Sequence, residues 1–225
     1  MKITCKSLLM GLLISLSANY VSAGIIVGGT RVIYDGGKKE ASLSISNPDS
    51  IPYLIQSWVE TQKGDNEKTP FIITPPLYRL DQKQQNVMRI VLTGILPENK
   101  ESMYWLNIKS IPATEKKENT LQVAVKTRIK LIYRPDALKV ISLDDVAGKL
   151  TWQKSGDQIL VTNPTSYYIN FNEITVAGMK IAEPTYVSPG GEARFKLPTG
   201  ITSGPVMYKI INDFGGISMA YQGSI

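Results

Sequence analysis

Apolar and polar residues alternate along much of this chain. In Ala41-Ser42-Leu43-Ser44-Ile45-Ser46 every second side chain is apolar. That is the period of a strand with one face buried, and Asn47-Pro48 ends the run. Tyr53 to Glu60, with Leu54, Ile55 and Trp58, predicts a second strand. Phe71 to Thr74 is a short one, stopped by Pro75-Pro76. Asn86 to Thr93 puts Val87, Arg89, Val91 and Thr93 on one face and Met88, Ile90 and Leu92 on the other. Ser102 to Lys109 sets Tyr104 and Leu106 opposite Trp105 and Asn107. No stretch keeps a helical period beyond about two turns, so the pattern predicts an all-β protein.

The rhythm breaks at Arg134-Pro135-Asp136-Ala137, where Pro135 lacks a backbone donor and biases Arg134 to extended geometry. It then restarts. Leu150 to Gln153, Gln158 to Thr162, Tyr167 to Thr175, Arg194 to Leu197 and Val206 to Asn212 are candidate strands. Asn163-Pro164, Ser188-Pro189-Gly190-Gly191 and Gly215-Gly216 separate or end them. This spacing suits two immunoglobulin-like β-sandwich domains, residues 24–135 and 136–225.

The segment Thr120 to Arg134 predicts the longest strand. Leu121, Val123 and Val125 share a face that continues through Ile129, Leu131 and Tyr133. Fully extended it would reach ~50 Å, against about 5–6 residues for a typical strand. Two readings are open. It is a buried core strand, or its first half is an edge whose apolar residues are offered to another chain. Long apolar edges template pairing and are normally avoided, so one that is kept implies a use such as strand donation.

Composition narrows the chemistry. Lys2 and Lys6, the mostly apolar Leu8 to Leu16 and the small residues Val21-Ser22-Ala23 form a secretory leader, residues 1–23, too short to span a bilayer. No later stretch is long and apolar enough for a transmembrane helix, so no stable membrane insertion is expected. The net charge of +6 includes the two leader lysines, and no clustered basic stripe points to nucleic acid. The one cysteine, Cys5, lies in the leader, and histidine is absent. The exported chain therefore has no disulfide, no thiol nucleophile, no imidazole base and no soft metal ligand. No metal or other cofactor is expected.

Several segments together resemble the periplasmic pilus (fimbrial) chaperones of the chaperone–usher pathway. They are Thr30-Arg31-Val32-Ile33-Tyr34, Ile45-Ser46-Asn47, Pro52-Tyr53-Leu54, Thr74-Pro75-Pro76, the run Leu96 to Ile108 (LPENKESMYWLNI), Thr127 to Pro135 (TRIKLIYRP) and Ile211-Asn212-Asp213-Phe214-Gly215-Gly216. The resemblance runs from near residue 24 almost to the C-terminus. It implies two immunoglobulin-like sandwiches set at an angle with a cleft between them. It also implies a function: a pilus subunit lacks its last strand, the chaperone lends one of its own, and an outer-membrane usher receives the subunit. No cofactor or nucleotide is implied.

The resemblance also implies roles. Arg31 and Lys130 match the cleft cations that hold the subunit's C-terminal carboxylate, and the planar fork of arginine suits a carboxylate. Leu121, Val123 and Val125 match the lent strand. Glu101, Arg134 and Asp213 match a structural charge network between the domains. The polar connection Lys109 to Asn119 resembles the short type that goes with rod-like pili. The chain departs from some relatives in having no cysteine pair in its second domain. Self-pairing through the lent strand is a further expectation for subunit-free protein.

Two rival classes were weighed. An enzyme would need an assembled set of catalytic roles, and neither Gly-x-Ser-x-Gly nor a Ser-x-x-Lys on a strand-to-helix turn is found. A secreted carbohydrate-binding or adhesin-like sandwich could use Tyr167, Tyr168 and Tyr186 to stack on sugars, though the three also read as ordinary strand residues.

Overall fold

The computed structural model describes residues 24–64, 68–113 and 121–225. The expected leader and residues 114–119 of the expected connection lie outside these. Among the described residues nine strands form the N-terminal half: β1 (Ile26–Val27), β2 (Arg31–Asp35), β3 (Glu40–Ser46), β4 (Tyr53–Glu60), β5 (Phe71–Thr74), β6 (Leu77–Leu80), β7 (Gln85–Leu92), β8 (Ser102–Pro112) and β9 (Val125–Arg134). They make two sheets, ordered β1-β3-β7-β5 and β2-β9-β8-β4-β6. Alternation decides the inner faces. Leu43 and Ile45 of β3 and Met88 and Ile90 of β7 pack on Ile55, Leu106, Ile108 and Leu131 of the second sheet. The residues between them, such as Ser42 and Arg89, face solvent.

The C-terminal half has eight strands: β10 (Thr151–Ser155), β11 (Gln158–Thr162), β12 (Ile169–Val176), β13 (Met179–Lys180), β14 (Tyr186–Val187), β15 (Glu192–Lys196), β16 (Pro205–Ile210) and β17 (Tyr221–Ser224). One sheet is β10-β11-β15, and the other is β13-β12-β16-β17 with β14 also paired to β12. Aromatic packing centres this core. Phe171 meets Phe195 edge-on at 5.8 Å and Tyr208 at 6.1 Å, and Trp152 lies 5.1 Å from Tyr208. A single short helix, α1 (Leu143–Ala147), opens with a capping box between Ser142 and Asp145. It buries Leu143, Val146 and Ala147 against the same core.

Pro135 stands between the halves, followed by a 3-10 turn, Asp136–Leu138. A third, small apolar cluster bridges them: Met103 and Ile132 on the outer face of β8 and β9, with Tyr168 of the second half. Gln62 ties the same place, donating to the Tyr168 hydroxyl (2.7 Å) and accepting from that of Tyr186 (3.1 Å).

Several sequence expectations need correction. The strand expected from Thr120 begins at Val125, and Leu121 to Ala124 are not strand; Thr120 itself is outside the described residues. The antiparallel register of Ser110 with Val125 carries Pro112 to the level of Val123, and proline has no N–H to continue the ladder. At 10 residues β9 is therefore shorter than β8, which has 11. The β6 strand, unforeseen because Pro75-Pro76 read as a stop, pairs with β4. Tyr167 and Tyr168 precede β12 rather than opening it, and both are buried. They offer no platform for stacking a sugar.

Phe171 is central to a core that no disulfide reinforces. Phe171→Ala should lower stability by about 3–5 kcal/mol, read as a shift in the urea midpoint of the C-terminal half. An unchanged midpoint would show that this aromatic cluster does not hold that half together.

Candidate functional site

The site is built on β9 and the two strands beside it. β2 joins β9 in parallel only from Lys130 onward, pairing Arg31 with Lys130 and Asp35 with Arg134. Arg31 and Lys130 therefore stand side by side on neighbouring strands, ~4.8 Å apart along the sheet. Across from them lie two hydrogen-bonded residues of the second half, since the Ile211 N–H donates to the Asn170 carbonyl at 2.8 Å. Arg31 Nη1 donates to the Ile211 carbonyl (3.3 Å) and Lys130 Nζ to Asn170 Oδ1. The Lys130 ammonium also sits 4.7 Å from the Tyr186 ring and 6.0 Å from that of Trp105.

Desolvation dominates the electrostatics. Burial lowers the Arg31 pKa, against the opposing charge of Asp213. Burial, joined by the charge of Arg31, pushes Lys130 down to about 8. Two donors here are buried with no acceptor: Arg31 Nε and Asn170 Nδ2. The orientation of Asn170 follows from its partner, because an ammonium only donates and so takes the amide oxygen, leaving the NH2 group unpaired. Buried polar groups are normally satisfied, yet among the described residues the cleft floor holds two donors that lack an acceptor.

Glu101, Arg134 and Asp213 meet behind this floor. Arg134 Nε donates to Glu101 Oε1 (2.7 Å), and its Nη1 and Nη2 grip both oxygens of Asp213 (2.5 and 2.8 Å). The second oxygen of Glu101 accepts from the Tyr168 N–H at 2.7 Å, and the Glu101 N–H donates to the Ser166 carbonyl at 2.9 Å. Burial works to lower the Arg134 pKa, but its bonds to Asp213 and Glu101 outweigh this and hold it above the usual arginine range. Burial pushes Glu101 up to about 7. With both oxygens accepting from donors, Glu101 has the bonding geometry of a carboxylate.

Leu121, Val123 and Val125 are on the surface, 86%, 59% and 51% exposed. From Val125 to Ile129, β9 pairs with β8 alone; among the described residues no strand lies on its other side. The odd-numbered face turns from exposed at Val125 to buried at Ile129 and Leu131. The sequence does not mark Asn170 or the Ile211 carbonyl, and it offers Tyr186 only as an aromatic for sugars, not as a neighbour of Lys130. Ile211 was quoted only as part of a turn motif, and nothing in a strand-like run marks its far end as facing another domain.

Two sandwiches meet at paired cations, with an exposed apolar segment leading into the strand that carries one of them. The chain belongs to the pilus-assembly chaperone family. Residues 24–139 match "Pili and flagellar-assembly chaperone, PapD N-terminal domain", and residues 145–222 match "Pili assembly chaperone PapD, C-terminal domain". The chaperone protein LpfB of Salmonella typhimurium is 43% identical over 95% of this chain and 93% of its own length. The chaperone protein FocC of Escherichia coli is 41% identical, covering 90% of this chain and 91% of the relative. Among solved structures, the Salmonella enterica SafA pilin in complex with the SafB chaperone matches with a TM-score of 0.82 and 37% identity, covering 91% of this chain and 97% of that one. The Escherichia coli chaperone DraB matches with a TM-score of 0.80 and 38% identity, over 88% and 94%. The chain's role is thus that of a chaperone in pilus subunit assembly; the carbohydrate-binding or adhesin alternative finds no support.

Arg134→Ala should cost about 3–5 kcal/mol, because it leaves Glu101 buried beside an absent cation. It should also broaden the distribution of domain angles, seen as an enlarged radius of gyration in X-ray scattering. Lost stability without a change in scattering would mean that the apolar cluster, and not the ion network, fixes the angle.

Proposed function

We propose that this chaperone captures a pilus subunit by its C-terminal carboxylate at Arg31 and Lys130 and lends it the segment carrying Leu121, Val123 and Val125. The unpaired donors Arg31 Nε and Asn170 Nδ2 carry this reading. A carboxylate brings two oxygens with about four acceptor sites, and it would neutralise two desolvated cations at once.

The lent segment then works by continuity. Its odd-numbered face runs directly into the face that Ile129 and Leu131 bury in the chaperone's own core. A subunit lying along the open edge of β9 would complete backbone pairing on one side and cover that apolar face on the other. Burying each of the three side chains is worth ~1.5–3 kcal/mol before the costs of association. Glu101, Arg134 and Asp213 hold the two sandwiches at the angle this requires and do not touch the subunit. The work is done in the periplasm, after removal of residues 1–23, and the loaded chaperone delivers its subunit to an outer-membrane usher. Affinity drives every step, and the protein catalyses no reaction.

Exporting the full precursor together with a pilus subunit tests the anchor. Wild type should co-purify with the subunit, and Arg31→Glu and Lys130→Glu should both lose it. Capture that survives both reversals would refute the carboxylate anchor.

The low pKa of Lys130 adds a pH dependence. Below about 8 the free cleft carries both charges. Above it Lys130 is neutral, so binding a carboxylate must take up a proton, and affinity falls by up to about tenfold per pH unit. A peptide ending in the subunit's last residues should bind more weakly from about pH 8 upward, and Lys130→Arg should flatten the profile. A profile just as steep in the Lys130→Arg variant would assign the titration to another group.

A further inference from the structure

The turn after β16 exposes an aromatic side chain within a rigid frame. Phe214 is 97% exposed, and Ile217 and Met219, three and five residues further on, are exposed too. Single exposed apolar residues are ordinary; what sets this one apart is how firmly it is held. Asn212 Oδ1 accepts from the N–H groups of Phe214 (3.1 Å) and Gly216 (2.8 Å), and Ile211 bridges to Ile217. The turn is also seated against the other half. Gly215 has φ +85°, and a Cβ there would lie 2.5 Å from Thr30 Oγ1. Asp213, immediately before the phenylalanine, is gripped by Arg134, and the Ile211 carbonyl accepts from Arg31. The frame that points Phe214 outward is therefore the same one that forms the floor of the cleft.

We infer that Phe214, flanked by Ile217 and Met219, is a second contact for the captured pilus subunit, packing on an apolar patch of the subunit outside its C-terminal strand. The inference rests on the proposed capture at Arg31 and Lys130. Continuity selects this occupant: a subunit whose chain end lies on Arg31 is brought to within a few residues of the turn. An aromatic with only two side-chain torsions, on a backbone already held, loses little freedom on binding, the character of an interface hot spot. Because the side chain packs on nothing in the free protein, its removal leaves the fold alone. Phe214 would add affinity and a shape requirement that a carboxylate, common to every protein chain end, cannot supply.

The test is a competition in the periplasm. Tagged wild type and an untagged variant, expressed at equal levels, share a limiting amount of a pilus subunit that co-purifies with wild type, and the subunit held by each is measured. Phe214→Ser should hold at least about tenfold less subunit with an unchanged unfolding midpoint, while Phe214→Leu retains most of the capture. A Phe214→Ser variant that competes as well as wild type, while Arg31→Glu does not, would overturn this inference and leave the anchor standing. A loss confined to self-association of free chaperone, or to binding of the loaded chaperone by the usher, would overturn it as well and reassign the turn to that partner. Undiminished capture by Arg31→Glu would remove the anchor and this inference with it.

Discussion

One guanidinium joins the two walls of the cleft. Arg134 ends β9, and three hydrogen bonds from it reach Glu101 of the same half and Asp213 of the other. A buried ion network adds little net stability, because desolvation offsets most of the attraction. Its value here is directional. The bidentate grip on Asp213 fixes the second half in rotation as well as distance, and Ile211 lies two residues upstream. At the other end of the same parallel pairing, Arg31 stands beside Lys130 as Asp35 stands beside Arg134. Locking Arg134 to Asp213 thus sets the Ile211 carbonyl against Arg31 and Asn170 against Lys130. The small apolar cluster around Met103, Ile132 and Tyr168 fills the space beside this frame but has no comparable directionality.

The second constraint is an edge left half open. β9 is central from Lys130 onward, with β2 and β8 on either side, and an edge before it. Unpaired edges carrying exposed apolar residues invite association, so the segment from Leu121 to Val125 is a liability in the free protein. The proposed function turns it into the binding element. Its shortfall is an outer layer, and an incomplete sandwich in the subunit lacks a strand; each would supply what the other is missing.

Much of this was legible in the sequence, for reasons that can be located. Alternation in β3 and β7 marks a face buried on one side only, and Leu43, Ile45, Met88 and Ile90 lie inside as the pattern predicts. β9 ends at Arg134, before Pro135, because a residue without an N–H cannot continue a ladder. The start of β9 was misread for a related reason: periodicity reports which side a residue faces, not whether a neighbouring strand exists to pair with it, and that was decided by Pro112 on another strand. Arg31, Lys130, Glu101, Arg134 and Asp213 were picked out by their flanking residues. Their chemistry alone would have left them as surface charges. Asn170 and the Ile211 carbonyl escaped because their importance comes from the angle between two domains, and no local pattern encodes that angle. Backbone carbonyls have no sequence signature at all.

With the subunit's chain end held as proposed, the anchor and the open edge on the same strand would combine into a ruler. Lys130 lies on the even-numbered face, turned toward the second half. Val125, Val123 and Leu121 lie five, seven and nine positions earlier, on the opposite face as far as the strand extends. At ~3.3 Å per residue the first of them is about 16 Å from the anchor. A subunit strand whose chain end is held at Lys130 is thereby fixed in register, and a slip by one residue would turn its apolar face to solvent and its polar face to the lent side chains. Backbone pairing alone cannot make that distinction, because every register offers the same N–H and C=O groups. The proposed anchor would make it by counting from the one point on the subunit chain that cannot slide, its end. This accounts for two cations being kept in a desolvated position at a cost to their own charged states. The charge is needed at one location along the edge, and the angle set by Arg134 is what holds the other wall of that location in place.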